Sequence, residues 1–462
     1  MSFRIPVPHT LVLLFLIMIL AWLLTLILPA GAFTTVKTDT GSELVVPGSY
    51  QAAETNKWLS PLVLLTSIPQ GLGKAQDVIF FVLLIGGVIA ILRKSQAIEA
   101  AIGLVLKHFS QHFSGLLLAG MFVFCVFSST FGMAEEYLAF VGILISLCLA
   151  LRLDPVTAVG IMVVGYGVGY GCAIINPFTV IVAQQVAELE TGSGWLFRLL
   201  ITVPFFLIGY HHLWSYATKI RRLPSLSLVQ DWQSHLLNAN SSDLSYPPMT
   251  TAHRLILLAM IPLIGLLFYG VMYWGWYLTE LSALFLGFGI LVAVLARLSW
   301  NEIGDSFIEG ASQLTGTAIL IGFARAITVI LEQGEVLHTI VNGLANLIAP
   351  LPAELSAVGM LGIQYLMNFF IPSGSGQAYV TMPVMAPLGD LVGVQRQVAV
   401  LAFQFGDGFT NMIVPTNAVL MGILGLAGIS YGQWFRFIFP LILKFFILGS
   451  LILILAVRIN WQ

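Results

Sequence analysis

Apolar residues dominate the chain in runs near twenty residues, divided by short polar breaks. That pattern predicts membrane-crossing helices, since a helix advances about 1.5 Å per residue and must cover roughly 30 Å of hydrocarbon. Uninterrupted runs fall at residues 9–28, 77–92, 195–217, 255–274, 278–295, 313–331 and 435–457. Two longer segments, 156–187 and 398–426, are broken by Pro177 and Pro415, which each remove a backbone donor and disrupt the preceding turn. Two further pairs of short arms, 113–127 with 134–151 and 353–370 with 377–391, flank tips rich in Gly, Ser and Pro. Each pair reads as a re-entrant hairpin or as two tilted spans, and length alone does not choose. The expected architecture is an all-α polytopic membrane protein with about nine spans and two hairpins. Residues 31–76 form a polar segment with a short surface helix expected. Residues 93–112 and 300–311 are expected to lie along the membrane surface. The run ending in Pro29-Ala30-Gly31-Ala32 exceeds a typical signal-peptide core, so it is expected to remain as a span.

The discontinuities are paired. SSTFGMAEEYLAF (residues 128–140) and INPFTV (175–180) in the first half match NFFIPSGSGQAYVTMPV (368–384) and FQFGDGFTNMIVPTNAV (403–419) in the second. Gly132 echoes Gly374, Tyr137 echoes Tyr379, and Pro177 echoes Pro415. Breaks at corresponding places in two halves point to a secondary transporter built from inverted repeats. The halves are expected at 1–218 and 255–462, joined by a cytoplasmic linker at 219–254. Basic clusters between Arg93 and Lys107 and between Lys219 and Arg254 place those loops and the N-terminus in the cytoplasm. The loop 332–354 carries three Glu and no Lys or Arg, which suits the exterior. On this assignment the first hairpin enters from the cytoplasm and the second from outside.

Composition narrows the function classes. The chain is 58% hydrophobic and 9% charged, far below the roughly one quarter of a soluble domain. A net charge of −2 lacks the clustered cations that nucleic acid requires, so none is expected as a partner. Cys125, Cys148 and Cys172 sit in apolar runs without metal-ligand spacing and read as small buried hydrophobes. His211 and His212 fall at an expected helix end, where interfacial anchoring explains them.

Glu135 and Glu136 are the sharpest chemical signal. A carboxylate at membrane depth is tolerated where it meets a cation, a proton or water, so the pair reads as a site for a substrate amine or a coupling proton. A solvated surface turn is the competing reading. Asp407, between Gly406 and Gly408, is similar, with backbone satisfaction at the break as its alternative. Asn176, Thr179, Thr410, Asn411, Thr416 and Asn417 sit at or beside the breaks. With unwound carbonyls they are candidates to hold Na⁺, above all at Asn176 and Asn417, or a carboxylate. At the second tip, Ser373, Gly374, Ser375 and Gln377 offer hydroxyls and free N–H groups to an anion. Arg325 falls near the middle of its span, as a candidate contact for a substrate carboxylate or an internal counter-ion; Lys444 is also within a span. No GxSxG, Walker A or metal motif occurs, and GYGVGYG precedes a membrane break rather than a Rossmann helix. An intramembrane carboxylate protease would need no inverted repeat, and a channel favours filter rings from several subunits. The chain is not expected to be an enzyme.

Several motifs resemble those of the YfcC family, relatives of the anaerobic dicarboxylate carriers in the ion transporter superfamily. They are Pro8-His9-Thr10, LPAGAF, VVPGSYQ, TFGMAEE (130–136), INPFTV (175–180), PSGSGQA (372–378) and GDGFTNMIVPTNAVLMGIL (406–424), in order along nearly the whole chain. The resemblance implies an elevator-type carrier, a homodimer, with a moving unit made of both hairpins and both broken helices. Carried onto this sequence, it implies substrate and Na⁺ contacts at Ser129, Thr130, Gly132 and Glu135, at Asn176 and Thr179, at 373–377, and at Asn411, Thr416 and Asn417. Met133-Ala134-Glu135-Glu136 stands where the dicarboxylate branch more often has Ser-Asn-Thr-type residues. The expectation is a secondary active transporter of a small carboxylate-bearing organic ion in the plasma (inner) membrane. An amino acid, including a basic one, ranks ahead of a four-carbon dicarboxylate. No cofactor is expected beyond a coupling Na⁺ or H⁺, with exchange as the other mode.

Overall fold

The computed structural model describes residues 10–37, 43–46, 48–53, 58–101, 113–176, 178–229, 247–274, 276 and 278–462. The first half contains α1 (Thr10–Ile27), α2 (Val63–Lys74), α3 (Gln76–Lys94) and α4 (Phe113–Phe131). A 3-10 turn at Glu135–Phe140 leads into α5 (Val141–Ala150), followed by α6 (Pro155–Gly171), α7 (Val180–Val186) and α8 (Trp195–Arg222). The second half contains α9 (Thr251–Trp274), α10 (Leu278–Leu295), α11 (Trp300–Gln313), α12 (Thr315–Gln333) and α13 (Leu337–Ile348). It ends with α14 (Ala353–Phe370), α15 (Gly374–Val392), α16 (Arg396–Thr410), α17 (Ala418–Leu426) and α18 (Tyr431–Arg458).

The helices start where the sequence supplies caps. Asp154 accepts from Thr157 N ahead of Pro155 at the first helical position of α6, where the missing proline donor costs nothing. Ser299 and Ser430 each form reciprocal capping boxes, with Glu302 and Gln433. Ser373 and Asn417 cap α15 and α17 directly after the two discontinuities of the second half.

Every residue of α6 and, from Gln397 onward, of α16 is buried, which marks these two helices as the centre of the fold. They pack on each other, α6 also against α4 and α16 also against α14. Small residues permit this closeness: a Cβ on Gly169 would lie 2.3 Å from Cys125 O, and one on Gly406 2.2 Å from Gln364 Cβ. The GYGVGYG stretch is therefore a packing ridge. A second packed group joins α2 to α12 and α3 to α11, again through glycines, with Gly71 against Gly322 O and Gly86 against Gly310 O. By contrast α8, α9 and α18 keep apolar side chains such as Leu200, Ile261 and Leu451 exposed, as faces turned to lipid do.

Among the described residues, α3, α4 (as Phe113–Thr130), α8, α10 and α18 are long and apolar enough to cross a membrane. The pair α11 and α12, bent by 40° at its break, adds a sixth. In the first hairpin α4 has spanning length, whereas α5 has only ten residues after its 3-10 turn. In the second, both arms have near-spanning length, with 18 residues in α14 and 19 in α15.

Several expectations need correction. The 31–76 segment is not all loop and surface helix: β1 (Gly31–Ala32) pairs with β4 (Gln51–Ala52), and β2 (Thr35–Lys37) with β3 (Glu43–Val45), both antiparallel. Its helix α2 packs against α12 because Gly71 lets the backbones meet. The 300–311 stretch likewise packs on α3 through Gly310. Residues 332–354 contain α13, whose Val341, Ala345 and Ile348 are buried at helical spacing. The linker 219–254 is helical at both ends, since α8 runs to Arg222 and α9 begins at Thr251. The first break opens earlier than 175, because α6 stops at Gly171. His211 and His212 lie inside α8, where His212 Nε2 bonds Phe437 O at 2.9 Å. Residues 102–112, with Lys107, and Pro177 lie outside the described residues.

Candidate functional site

The two tips and the two breaks meet at one cavity of about 530 Å³. Gly132 and Ala134 line it from the first tip, Phe178 and Thr179 from the first break. Pro372, Ser373, Gly374 and Ser375 line it from the second tip, with Asn411, Thr416, Asn417 and Ala418 from the second break. The remaining wall comes from Tyr166 and Tyr170 of α6, Lys74 and Ala75 at the α2–α3 junction, Arg325 of α12 and Trp276 after α9.

The first tip and first break are stitched together. Gly132 has φ +72°, a left-handed conformation that costs a glycine little, and its carbonyl accepts from Tyr170 OH at 2.7 Å. Asn176 is fully buried; its Nδ2 donates to Ser128 O at 3.1 Å and its Oδ1 accepts from Phe178 N at 2.9 Å. Ser129 accepts from Ile174 N at 3.1 Å, while Thr130 Oγ1 bonds back to Val126 O at 2.7 Å. These three side chains hold the backbone and do not line the cavity. Glu135 and Glu136 open the 3-10 turn directly after Ala134; their side chains lie outside the described residues.

The second half builds its part from amides. Asn368 Nδ2 donates to Asp407 O at 3.1 Å, Thr410 Oγ1 at 2.7 Å and Asn411 Oδ1 at 2.9 Å. Asn417 Nδ2 reaches Asn411 Oδ1 at 2.9 Å, and its own Oδ1 caps Leu420 N at 2.8 Å. Thr416 Oγ1 donates to Phe369 O at 2.8 Å. Gln377 is buried against Gln364, one turn behind the tip. Ser373 caps α15, so the first N–H groups of that helix belong to cavity-lining residues and lack intrahelical acceptors, an arrangement that suits an anion.

The structure thus brings Gly132, Thr179, Arg325, Ser373, Gly374, Ser375, Asn411, Thr416 and Asn417 to one cavity. Ser129, Thr130, Asn176, Gln377 and Asp407 stand outside its lining. Sequence reasoning missed Lys74, Tyr166, Tyr170 and Trp276. The two tyrosines were available in GYGVGYG, at positions that only a packed α6 turns toward the tips. The electrostatics follow from two cations. Lys74 pairs with Glu332, whereas Arg325, half-buried, has no ion-pair partner among the described residues. The described lining side chains include no carboxylate. The charge on the described part of this wall is therefore positive.

Residues 7–458 match the family described as DcuC, C4-dicarboxylate anaerobic carrier. The chain belongs to this family. It is 33% identical to the Escherichia coli (strain K12) protein named "Putative basic amino acid antiporter YfcC" over 489 residues, covering 98% of this chain and 96% of that one. It is 29% identical over 422 residues to an uncharacterized protein of Haemophilus influenzae (strain ATCC 51907 / DSM 11121 / KW20 / Rd), covering 90% of this chain and 82% of the other. Among solved structures it is similar to the Alcanivorax borkumensis YdaH transporter, at 16% identity and a TM-score of 0.41 over 98% of this chain and 99% of that chain. Family membership and the apolar helices make this a multi-pass membrane protein of a transporter family.

Proposed function

We propose that the protein is a secondary active carrier of a small organic ion bearing a carboxylate, with an amino acid ranked ahead of a four-carbon dicarboxylate. The observation that carries this reading is one cavity shared by both tips, both breaks and Arg325, which is unpaired among the described residues. A substrate carboxylate would bridge Arg325 and the N-terminus of α15, replacing its hydration with charge-assisted hydrogen bonds. An amino or guanidinium end would turn toward the first tip, where the sequence places Glu135 and Glu136. A dicarboxylate would instead use Lys74 as its second cation, which the family's description favours.

The element order supports an inverted repeat. Each half runs through two helices in close succession (α2–α3, α11–α12), a tip between two arms, a broken helix (α6–α7, α16–α17) and a long helix containing proline (α8, α18). In our reading the halves lie in opposed orientation in the inner membrane, with nine spans and the N-terminus in the cytoplasm. The tips and broken helices form a unit that moves against α1–α3 and α10–α12 within a homodimer, by an elevator mechanism. Transport is coupled to Na⁺, H⁺ or exchange, and the protein is not an enzyme.

Uptake and counterflow in proteoliposomes test this reading, with labelled basic amino acids, neutral amino acids and four-carbon dicarboxylates and with Na⁺ and pH gradients imposed in turn. Counterflow of one class is the expected result. Conduction without counterflow would mark a channel, and peptide cleavage without solute movement a protease.

A further inference from the structure

A second cavity, of about 290 Å³, opens toward the other end of α3. Val78, near the start of that helix, lines the first cavity, whereas Gly86, Ile89, Arg93 and Lys94 line the second. α3 is of spanning length and Arg93 and Lys94 occupy its last turn, so the second cavity lies at a membrane–water boundary. α11 runs back along α3, with Phe307 against Gly87 and Gly310 against Gly86. Its start therefore lies at the same boundary, where Trp300 is exposed, as an indole at headgroup level is.

The charges around this cavity are divided between the two helices. On α3, Arg93 and Lys94 are exposed cations, and Arg93 makes no ion pair among the described residues. Its guanidinium reaches across to α5, where a Cβ on Gly142 would lie 3.3 Å from Nη2. Lys94 also acts on the charge of Glu302 at the start of α11, which leaves Arg93 the freer of the two. On α11, Glu309 lines the same space and accepts from Gln313 Nε2 at 3.4 Å. Between the charges the wall is apolar, from Ile89 and Leu314. A simple anion would meet Glu309 as well as the two cations, and a simple cation the reverse. A ligand that carries both signs on a short link satisfies each side.

We infer that this cavity binds the phosphoethanolamine headgroup of a membrane lipid, with the phosphate on Arg93 and Lys94 and the ammonium on Glu309. All three side chains line one cavity at the small end of the range for ligands, and its place at the boundary supplies the lipid. Against the apolar wall, charge-assisted hydrogen bonds to phosphate and ammonium are at their strongest. The occupant also bridges two parts of the fold. Gly142 belongs to α5 of the first hairpin and Leu426 to α17 of the second broken helix, whereas α3 and α11 form the separate packed group. A headgroup seated here ties the hairpin and broken helix to α3 and α11 in the arrangement seen. That bracing of a moving unit rests on the carrier reading; the lipid site itself does not.

The test uses purified full-length protein in detergent micelles supplied with phosphatidylethanolamine, phosphatidylcholine or phosphatidylglycerol at equal mole fraction, with the unfolding temperature recorded. Phosphatidylethanolamine is expected to raise the wild-type midpoint saturably and furthest, as a ligand of the native state does. A trimethylated nitrogen cannot donate to Glu309, and a glycerol headgroup brings it no charge. Arg93→Gln is expected to raise the half-effective fraction of phosphatidylethanolamine by about tenfold, and Lys94→Gln to raise it less. Glu309→Gln is expected to abolish the preference for ethanolamine over choline. If Arg93→Gln does not fold, Glu309→Gln and Lys94→Gln carry the comparison. Equal midpoints in the three lipids, a preference for another headgroup, or the same preference in the wild type and the variants overturns the site. Soluble phosphoethanolamine that matches the lipid at equal concentration overturns the lipid as occupant. Wild-type counterflow is measured alongside: counterflow with a lipid-indifferent midpoint removes the headgroup site and leaves the carrier, whereas an ethanolamine-dependent midpoint without counterflow in the substrate screen does the reverse.

Discussion

Gly408 and Gly171 meet backbone to backbone at the crossing of α16 and α6, where a Cβ on Gly408 would sit 2.2 Å from Gly171 N and 2.4 Å from Gly171 Cα. Both partners are main chain, so no side-chain rotation relieves an added methyl. The two broken helices must part, and with them the two breaks that line the cavity.

Gly408→Ala is therefore expected to destabilise the protein by about 1–3 kcal/mol or more, the usual cost of overpacking a tight core. Thermal unfolding of solubilised protein measures it. Gly115→Ala, where nothing lies within 4 Å of the added Cβ, serves as the control and is expected to leave the midpoint almost unchanged. Equal effects at both positions would count against the crossing.

Arg325 lines the cavity and has no ion-pair partner among the described residues. Arg325→Gln is expected to weaken apparent substrate affinity by roughly 10- to 100-fold, the worth of one charge-assisted carboxylate contact. Arg325→Lys should recover only part of this, because an ammonium lacks the bidentate fork. Concentration-dependent uptake into proteoliposomes provides the measurement, with folding checked by size exclusion. Unaltered affinity in Arg325→Gln would remove the residue from substrate binding.

Glu135 and Glu136 rest on the sequence argument. Glu135→Gln and Glu136→Gln, made separately, are expected to abolish uptake by folded protein or to alter its pH dependence. Full activity and an unchanged pH profile in both variants would exclude the acidic tip from the mechanism.

Asp154 is a carboxylate with a structural role. Its Oδ1 accepts from Thr157 N at 2.9 Å and Thr157 Oγ1 at 2.7 Å, and its Oδ2 from Tyr216 OH at 2.6 Å and Ser227 Oγ at 2.7 Å. The start of α6 is thereby tied to α8 and to the segment that follows it. Asp154→Ala removes a helix cap and strands buried hydroxyls, for an expected loss of about 2–5 kcal/mol. Tyr216→Phe gives up one charged hydrogen bond and should cost roughly 1.5–3 kcal/mol. Thermal melts of both variants check the order; a larger loss for Tyr216→Phe than for Asp154→Ala would contradict it.

Lys74 and Glu332 form an exposed ion pair between the end of α2 and the end of α12. Exposed pairs contribute little once solvent screening and side-chain entropy are counted, so Glu332→Gln is expected to change stability by only about 0–1 kcal/mol. Its effect should appear instead in uptake, because Lys74 lines the cavity and would be freed for an anionic substrate. Parallel melts and uptake curves separate the two.

The sequence by itself determined the helical membrane class, both tips and the second break, because those features are local. Runs of apolar residues, Pro415 and the Gly-Ser tip act within a few turns of the chain, and α14, α15, α16 and α17 begin and end within a few residues of where that pattern places them. The polar residues of the tips and breaks were legible for the same reason. Tertiary structure alone decided which of them share a cavity. Asn176 faces backbone, Thr179 faces the cavity, and Asp407 lies behind it although its flanking glycines gave it room on paper. Lys74, Tyr166, Tyr170 and Trp276 reach the same space from segments distant in sequence, which no local period can reveal. The physical reason is that apolar periodicity fixes which residues form a helix, whereas α6 and α16 are buried on every side. In α6 no face is marked by polarity, whereas α16 carries Gln397, Gln404 and Asp407 along one face that is buried like the rest, and in both the close approach of glycines such as Gly171 and Gly408 helps set what each side chain meets.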